Sequence, residues 1–170
     1  HFPGKGHAPV DAHLGLPVLV GGEHAELYTR ETMAHREIDY LIVGEAEVPL
    51  PQFVRAFEKD KQFAGIKSLC YRNGDEIVLE TSRQEVMDID KVPWASRHLV
   101  DNSRYANILT RKKHFTAMLS TRGCPNRCAF CNQKRPSYRL RSARSFVDEI
   151  SYNFDRHGIQ EFDIYDSTFT

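Results

Sequence analysis

The hydrophobic pattern of the N-terminal half predicts a strand, a helix and a second strand. Apolar residues run from Leu16 to Val20 and end in the glycine pair Gly21-Gly22, and a second apolar run covers residues 38–43. Between the two runs, residues 25–35 are expected to form a helix. This order is typical of a doubly wound α/β domain, and the chain is expected to supply only its last two strands and helices.

The C-terminal half repeats the order of strand, helix and strand. Residues 114–120 are apolar and β-prone, residues 142–154 have helical spacing, and residues 160–166 alternate as in a strand. Ser142 or Ser145 is a candidate N-cap of this helix. One face of the helix carries four apolar residues, Phe146, Val147, Ile150 and Phe154. The pattern predicts one βαβ unit whose first connection is a long loop.

A β-hairpin is expected between the two halves. Residues 65–80 contain two alternating runs joined by Asn73-Gly74, which is a strong turn signal. Cys70 falls inside the first run, so we assign it to packing rather than to chemistry. The polar stretch 92–107 is typical of a linker. The predicted domains are therefore residues 1–60, a hairpin and linker over 61–113, and a second domain over 114–170.

Three of the four cysteines lie within eight residues of the loop that follows the strand at 114–120. Cys124, Cys128 and Cys131 have the spacing C-x3-C-x2-C. Three thiolates from one loop can hold three irons of a cubane cluster, whereas a closed cluster takes four cysteines. One iron would then be open to a substrate or cofactor.

Two other interpretations of the cysteines are weaker. A structural zinc site is four-coordinate and is usually built from two separated ligand pairs, but the region after Cys131 has only a single histidine, His157. Cysteines this crowded have poor geometry for disulfides, and no signal-peptide pattern or apolar run of transmembrane length is present. We therefore expect a reducing, cytoplasmic location. A non-catalytic metal-binding module remains an alternative.

The segment from Ser120 to Cys131, with the aromatic Phe130 just before the third cysteine, closely resembles the signature of radical S-adenosylmethionine (SAM) enzymes. The resemblance implies a [4Fe-4S] cluster whose open iron binds the amino and carboxylate groups of SAM. It also implies reductive cleavage of SAM to a 5'-deoxyadenosyl radical. Gly123 would allow the chain to turn out of the strand, and Phe130 could lie against the adenine.

The end of the chain resembles the matching stretch of radical SAM enzymes that carry a cobalamin domain. In those enzymes the tip of the second strand bears acidic and hydroxyl residues near the methionine end of SAM. Asp166 and Ser167 are the corresponding candidates here. They replace a glycine-rich tip that many radical SAM families have at this place.

The N-terminal half resembles the C-terminal half of the cobalamin-binding domain that precedes the radical core in a large class of these enzymes. Gly21 and Gly22 match a glycine pair that lets the backbone approach the nucleotide tail of cobalamin. The run Gly44-Glu45-Ala46-Glu47 matches a turn after the next strand. The implied fold class is α/β: the end of a Rossmann-like cobalamin domain, a hairpin linker, and the first β/α units of an incomplete radical SAM (β/α) barrel.

The implied function is that of a fragment of a cobalamin-dependent radical SAM enzyme acting on a small molecule. Methylation, cyclisation and rearrangement at an unactivated carbon all remain open. Only 39 residues follow Cys131, whereas a complete barrel of eight units needs about 250 residues. The alternative within the superfamily is an RNA methylthiotransferase, which would need a different N-terminal domain with three more cysteines.

Charge is uneven although the net charge is zero. Ten Lys or Arg and no Asp or Glu lie between Arg111 and Arg144. This positive segment surrounds the cysteines and could dock an acidic flavodoxin- or ferredoxin-like electron donor. Nucleic-acid binding is less favoured because the segment lacks a recognisable module with interleaved aromatic residues. A solvated basic loop whose arginines pair with acidic groups elsewhere is the simpler alternative.

Overall fold

The computed structural model describes residues 16–80, 82–105, 108–131 and 137–169. The chain divides into two compact units, and the boundary between them along the sequence lies between Glu85 and Val86. The first 15 residues of the predicted N-terminal domain and residues 106–107 of the predicted linker lie outside the described ranges. The predicted boundaries at residues 60 and 113 stay predictions.

The first unit is a four-stranded mixed sheet with helices. Its strands lie in the order β1, β2, β3, β4; β1 and β2 are parallel, and each later pair is antiparallel. The elements along the chain are β1 (Leu19–Val20), α1 (Glu23–Leu27), α2 (Thr29–Ala34), β2 (Tyr40–Ile42), α3 (Pro49–Lys59), β3 (Leu69–Asn73) and β4 (Glu76–Val78). The predicted order of strand, helix and strand is present in this unit.

The core of the first unit follows the alternation of side chains along β2. Leu41 lies on one face of the sheet, and Ile42 lies on the other. On the face of Leu41, the buried side chains form a cluster of Ala25, Met33, Leu41, Val43 and Cys70. On the face of Ile42, they form a cluster of Ile42, Phe53, Phe63 and Leu69. The sheet is therefore covered by α1 and α2 on one side and by α3 on the other.

The helix predicted over residues 25–35 is two short helices in the structure. The break is at Tyr28, whose φ of −119° and ψ of 46° are not helical. The N–H of Tyr28 still donates to the carbonyl of His24, at 3.0 Å, and so closes α1. Met33 in α2 is fully buried. The chain thus turns at Tyr28 while both helices keep a residue in the core.

The predicted hairpin is confirmed as an element, and it belongs to the sheet of the first unit. Asn73 pairs with Glu76, and Gly74 has a φ of 62°, which suits the tight turn predicted there. β3 also pairs with β2, with Cys70 opposite Leu41. Cys70 is fully buried, and burial raises the pKa of its thiol. It packs in the core, as the sequence predicted.

The second unit contains the predicted βαβ arrangement. Three short 3-10 turns, Ile89–Lys91, Arg97–Leu99 and Asn102–Arg104, precede its strands. The later elements are β5 (Phe115–Met118), β6 (Thr121–Arg122), β7 (Arg139–Leu140), α4 (Ala143–His157) and β8 (Glu161–Ile164). β5 and β8 are parallel, and β6 and β7 form a separate antiparallel pair. The described residues contain no closed barrel.

Helix α4 begins at its predicted cap, and two of the four residues on its predicted apolar face are half-buried, but its most buried residues are polar. The Ser142 hydroxyl oxygen accepts from the N–H of Ser145 at 3.1 Å. Val147 and Phe154, on the apolar face, are each 56% exposed, whereas Glu149 and Asn153 are buried. Polar partners elsewhere in the unit decide which face is buried.

Those partners are arginines on both sides of the Glu149 carboxylate. Arg97 donates to one carboxylate oxygen at 2.9 Å, and Arg141 donates to the other at 2.5 Å. Arg97 also donates to the Thr116 hydroxyl at 3.0 Å and to the Ala117 carbonyl at 3.1 Å. This buried ion network joins the 3-10 turn at Arg97, strand β5 and helix α4.

No helix in the described part of the chain is long and apolar enough to cross a membrane.

Candidate functional site

The three clustered cysteines lie on the loop that leaves β6, near the carboxyl ends of β5 and β8. Gly123 has a φ of 78°, a backbone conformation that favours glycine, and it turns the chain into the loop. The N–H of Cys131 donates to the carbonyl of Cys128 at 3.1 Å, which closes a turn around Phe130. All three thiols are free; Cys124 is half-buried, and Cys128 and Cys131 are exposed. The loop thus presents thiols that a metal could reach.

The sulfur of Cys124 is held by polar groups. Its Sγ lies 3.1 Å from the Thr168 hydroxyl and 3.7 Å from the Asn126 side-chain nitrogen. The hydrogen bond with Thr168, followed by the backbone N–H of Asn126, lowers the pKa of this thiol. Hydrogen bonds to the anion favour the thiolate, which is the form that binds metals.

Asp166 contacts the backbone just before the cysteine loop. One carboxylate oxygen accepts from the N–H groups of Ser120, at 2.8 Å, and Thr121, at 3.0 Å, and the other accepts from the Ser120 hydroxyl. The carboxylate therefore joins the tip after β8 to the turn between β5 and β6. The contact with SAM proposed for Asp166 stays a prediction; the contacts in the structure are to the backbone that supports the cysteine loop.

Phe130 and Ser167, the other candidates for SAM binding, lie at the surface. Phe130 is 92% exposed on the cysteine loop, and Ser167 is exposed at the tip after β8. Their roles as cofactor contacts remain predictions. The accessible ring of Phe130 leaves its face available for stacking.

Thr168 was missed by sequence reasoning. It follows the predicted pair Asp166-Ser167, yet nothing in its local pattern distinguishes it from another polar residue after a strand. Its contact with Cys124 joins residues 44 positions apart. Only the parallel pairing of β5 with β8 brings the two together.

The chemistry of the donor set suits a cubane cluster. Among the described residues, no group of three or more His, Cys, Asp or Glu side chains is arranged to hold a metal ion. A cubane does not require such convergence on one point, because each cysteine ligates its own iron. Three free thiols on one accessible loop, one of them with a lowered pKa, fit that requirement.

The second candidate region is the edge of the first sheet where β1 and β2 end. Gly22 follows β1 with a φ of 95°, and Gly44 follows β2 with a φ of 81°. A Cβ on Gly21 would lie 3.5 Å from the Ile42 carbonyl oxygen. Because β1 and β2 are parallel, both glycine turns lie at the same edge. In open α/β sheets this carboxyl edge is where ligands bind.

Two curated relatives align with most of this chain. An uncharacterized methyltransferase of Pyrococcus horikoshii is 29% identical over 157 residues, covering 90% of this chain and 34% of the relative. The anaerobic magnesium-protoporphyrin IX monomethyl ester cyclase of Cereibacter sphaeroides is 30% identical over 161 residues, covering 85% of this chain and 24% of the relative. The chain therefore spans about a quarter to a third of their lengths. No protein-family model matches it.

Two solved structures share the fold. The radical SAM methyltransferase TsrM from Kitasatospora setae, with cobalamin and a [4Fe-4S] cluster bound, has a TM-score of 0.62 at 22% identity, covering 89% of this chain and 30% of that one. The cobalamin-dependent SAM radical enzyme OxsB has a TM-score of 0.59 at 18% identity, covering 89% and 21%. At these identities the likeness shows the fold. Together with the sequence relatives, it confirms the predicted resemblance to radical SAM enzymes with a cobalamin-binding domain.

Proposed function

We propose that this chain, which shares its fold with cobalamin-dependent radical SAM enzymes, is part of an enzyme of that kind. Its second unit would hold a [4Fe-4S] cluster and SAM, and its first unit would contribute to binding cobalamin. The observation that carries the proposal is the loop with Cys124, Cys128 and Cys131. It follows the short strand β6, just beyond the carboxyl end of β5 in the parallel pair of β5 and β8, and it presents three free thiols.

The three loop cysteines would each ligate one iron, which leaves the fourth iron without a protein thiolate. A cluster of this kind, when bound there, would supply the electron for reductive cleavage of SAM. The chain itself contributes the cysteines, and hydrogen bonds with Thr168 and Asn126 lower the pKa of the Cys124 thiol and so favour its thiolate. Asp166 fixes the backbone from which the loop starts.

The remaining contacts with SAM would come from exposed groups around the loop. Phe130 offers an accessible ring on which an adenine can stack. Ser167 lies one residue beyond Asp166 at the tip after β8 and could reach the polar methionine end of SAM. Both groups lie on the segments that hold Cys124, so a cofactor at the open iron would be within the same neighbourhood.

Cobalamin would lie at the carboxyl edge of β1 and β2. Gly21 and Gly22 leave backbone without side chains after β1, and Gly44 does the same after β2. An extended cofactor tail can approach such backbone closely. We infer that these strands would be the last ones of a Rossmann-like cobalamin domain and that the second unit would supply the first strands of the radical SAM barrel.

The reaction would be methylation, cyclisation or rearrangement of a small molecule at an unactivated carbon. Relatives named as methyltransferases and as an anaerobic cyclase support methylation and cyclisation, and rearrangement stays a prediction. An acidic flavodoxin- or ferredoxin-like protein would deliver electrons, attracted by exposed basic residues of the segment 111–144 such as Lys112 and Lys113. Arg141 would not contribute, because it is buried against Glu149.

The test is spectroscopic. The purified protein would be reconstituted anaerobically with iron and sulfide, reduced, and examined by electron paramagnetic resonance with and without SAM. We expect a cubane signal that changes when SAM is added, because the open iron gains ligands. A cubane signal indifferent to SAM, or zinc in place of iron, would reject the catalytic assignment in favour of a structural metal module.

A further inference from the structure

The contact between Thr168 and Cys124 joins a strand tip to a predicted cluster ligand. We propose that Thr168 is a positioning residue whose hydroxyl donates a hydrogen bond to the Cys124 thiolate and thereby raises the reduction potential of the cluster. This inference rests on the proposed function, since it concerns the cluster that the three cysteines would hold. It assigns a role to a residue outside the cysteine motif.

The direction of the hydrogen bond follows from its neighbours. The Asn126 side-chain nitrogen lies 3.4 Å from the Thr168 hydroxyl oxygen, to which it donates. The Thr168 proton is then free to point to Cys124 Sγ, 3.1 Å away. A thiolate that ligates iron has no proton to donate, so Thr168 must be the donor in the loaded protein. Asn126 can add a longer contact of 3.7 Å to the same sulfur.

The position of Thr168 is determined by the structure around it. Its carbonyl accepts from the Thr121 hydroxyl at 3.4 Å. Two residues earlier, the Asp166 carboxylate accepts from the backbone N–H groups of Ser120 and Thr121. Tyr165 donates from its N–H to the Met118 carbonyl at 2.9 Å and so extends the pairing beyond β8. The tip after β8 is thus tied to the strand from which the cysteine loop leaves.

A hydrogen-bond donor at the Cys124 sulfur would change the reduction potential of the cluster electrostatically. Adding one electron to the cluster increases the negative charge on its ligands, and a hydrogen bond to a ligand sulfur stabilises that added charge. Loss of the bond should therefore lower the potential. Cys124 is the half-buried cysteine of the three, whereas Cys128 and Cys131 are exposed. A hydrogen bond is worth more where water competes less for the same atom.

The experiment compares Thr168→Val with Thr168→Ser in the whole protein carrying its reconstituted cluster. Valine keeps the size and removes the hydroxyl, and serine keeps the hydroxyl. Redox titration followed by electron paramagnetic resonance measures the potential, and resonance Raman spectroscopy measures the stretching of the iron–thiolate bonds. For the valine variant we expect up to a tenfold fall in the ratio of reduced to oxidised cluster at a fixed potential, which equals about 59 mV for one electron. We expect serine to match the wild type.

Equal potentials in the wild type and the valine variant would overturn the inference, as would the same shift in both variants, since serine retains the donor. If valine alone loses the cluster, as measured by iron content, the requirement for the hydroxyl is supported. Loss of the cluster in both the valine and the serine variant contradicts a requirement for the hydroxyl. A wild-type cluster that ignores SAM rejects the proposed function while the comparison of potentials still decides the role of Thr168. A wild type that takes up no cluster rejects both.

Discussion

Replacing Glu149 with glutamine should strongly destabilise the second unit, because the Glu149 carboxylate is the charged partner of two arginines that have little access to water. It lies 2.9 Å from Arg97 and 2.5 Å from Arg141, and the exposed side-chain fractions of the three residues are 6%, 9% and 11%. Glutamine has nearly the same shape but carries no charge. The substitution therefore removes the charge and leaves most of the packing intact.

The expected loss is about 3–5 kcal/mol in the free energy of unfolding, the range measured when one partner of a buried ion pair is removed. After the change Arg97 keeps only neutral partners, the Thr116 hydroxyl and the Ala117 carbonyl. Arg141 would likewise keep Ser145 as a neutral partner. Both guanidinium groups would remain buried and charged, which is the costly state.

A matched control lies one residue away on the same helix. Asp148 faces Arg144 at 3.8 Å, with exposed side-chain fractions of 56% and 91%. Replacing Asp148 with asparagine removes the same charge from the same turn of α4. Because surface ion pairs contribute about 0–1 kcal/mol, we expect this variant to unfold almost like the wild type.

Urea unfolding can be followed through the fluorescence of Trp94, the single tryptophan of the chain. Its ring centroid lies 5.4 Å from that of Tyr152 on α4, so its signal should report the packing of this helix. With a slope near ~2 kcal/mol per molar urea, the Glu149 variant should unfold about 2 M earlier. If the Glu149 and Asp148 variants unfold at the same urea concentration, the buried network does not hold this unit together.

Three further predictions concern the candidate cofactor sites. Alanine in place of any one of the three loop cysteines should abolish iron incorporation. Cys70→Ala should keep it, because Cys70 is a buried core residue of the other unit. Iron and sulfide analysis measures the effect, and loss of iron in the Cys70 variant alone would refute the ligand assignment. Gly22→Val should weaken cobalamin binding, measured by equilibrium titration, without changing the iron content. Gly65→Val is its control, because both glycines have a positive φ and open space around them. Equal weakening in the two variants would mean that backbone strain, and not the binding edge, is responsible. The Asp166→Asn variant should release iron to a chelator several times faster than the wild type. The reason is that a neutral acceptor binds the N–H groups of Ser120 and Thr121, at the start of the loop, less strongly. An unchanged release rate would show that the carboxylate does not support the loop.

Local features were predictable because their causes are local. The Asn73-Gly74 turn needs only two residues that tolerate a positive φ, and it forms where the pattern placed it. The cap at Ser142 likewise depends on a hydroxyl and an N–H three residues apart. The cysteine motif was evident for the same reason, since its spacing lies within eight residues.

The packed face of α4 was not predictable in this way. The apolar stripe predicted the buried side, but its Val147 and Phe154 are exposed and its other two residues are only half-buried. The structure buries Glu149 and Asn153 more deeply. The reason is a partner 52 residues away: Arg97 brings a charge into the unit, and a carboxylate must meet it there. The split of the first predicted helix at Tyr28 also depends on how α1 and α2 each reach the core of the sheet.

For this protein, the sequence alone determined the strand, helix and strand order of each half, the hairpin, the three candidate iron ligands and the resemblance to radical SAM enzymes with a cobalamin domain. These follow from periodicity and short spacing, which are properties of neighbouring residues. Only the tertiary structure brought Asp166 beneath the loop and Thr168 to the sulfur of Cys124. Those contacts join residues more than forty positions apart, and they exist because β5 and β8 pair in parallel and bring their ends to one edge.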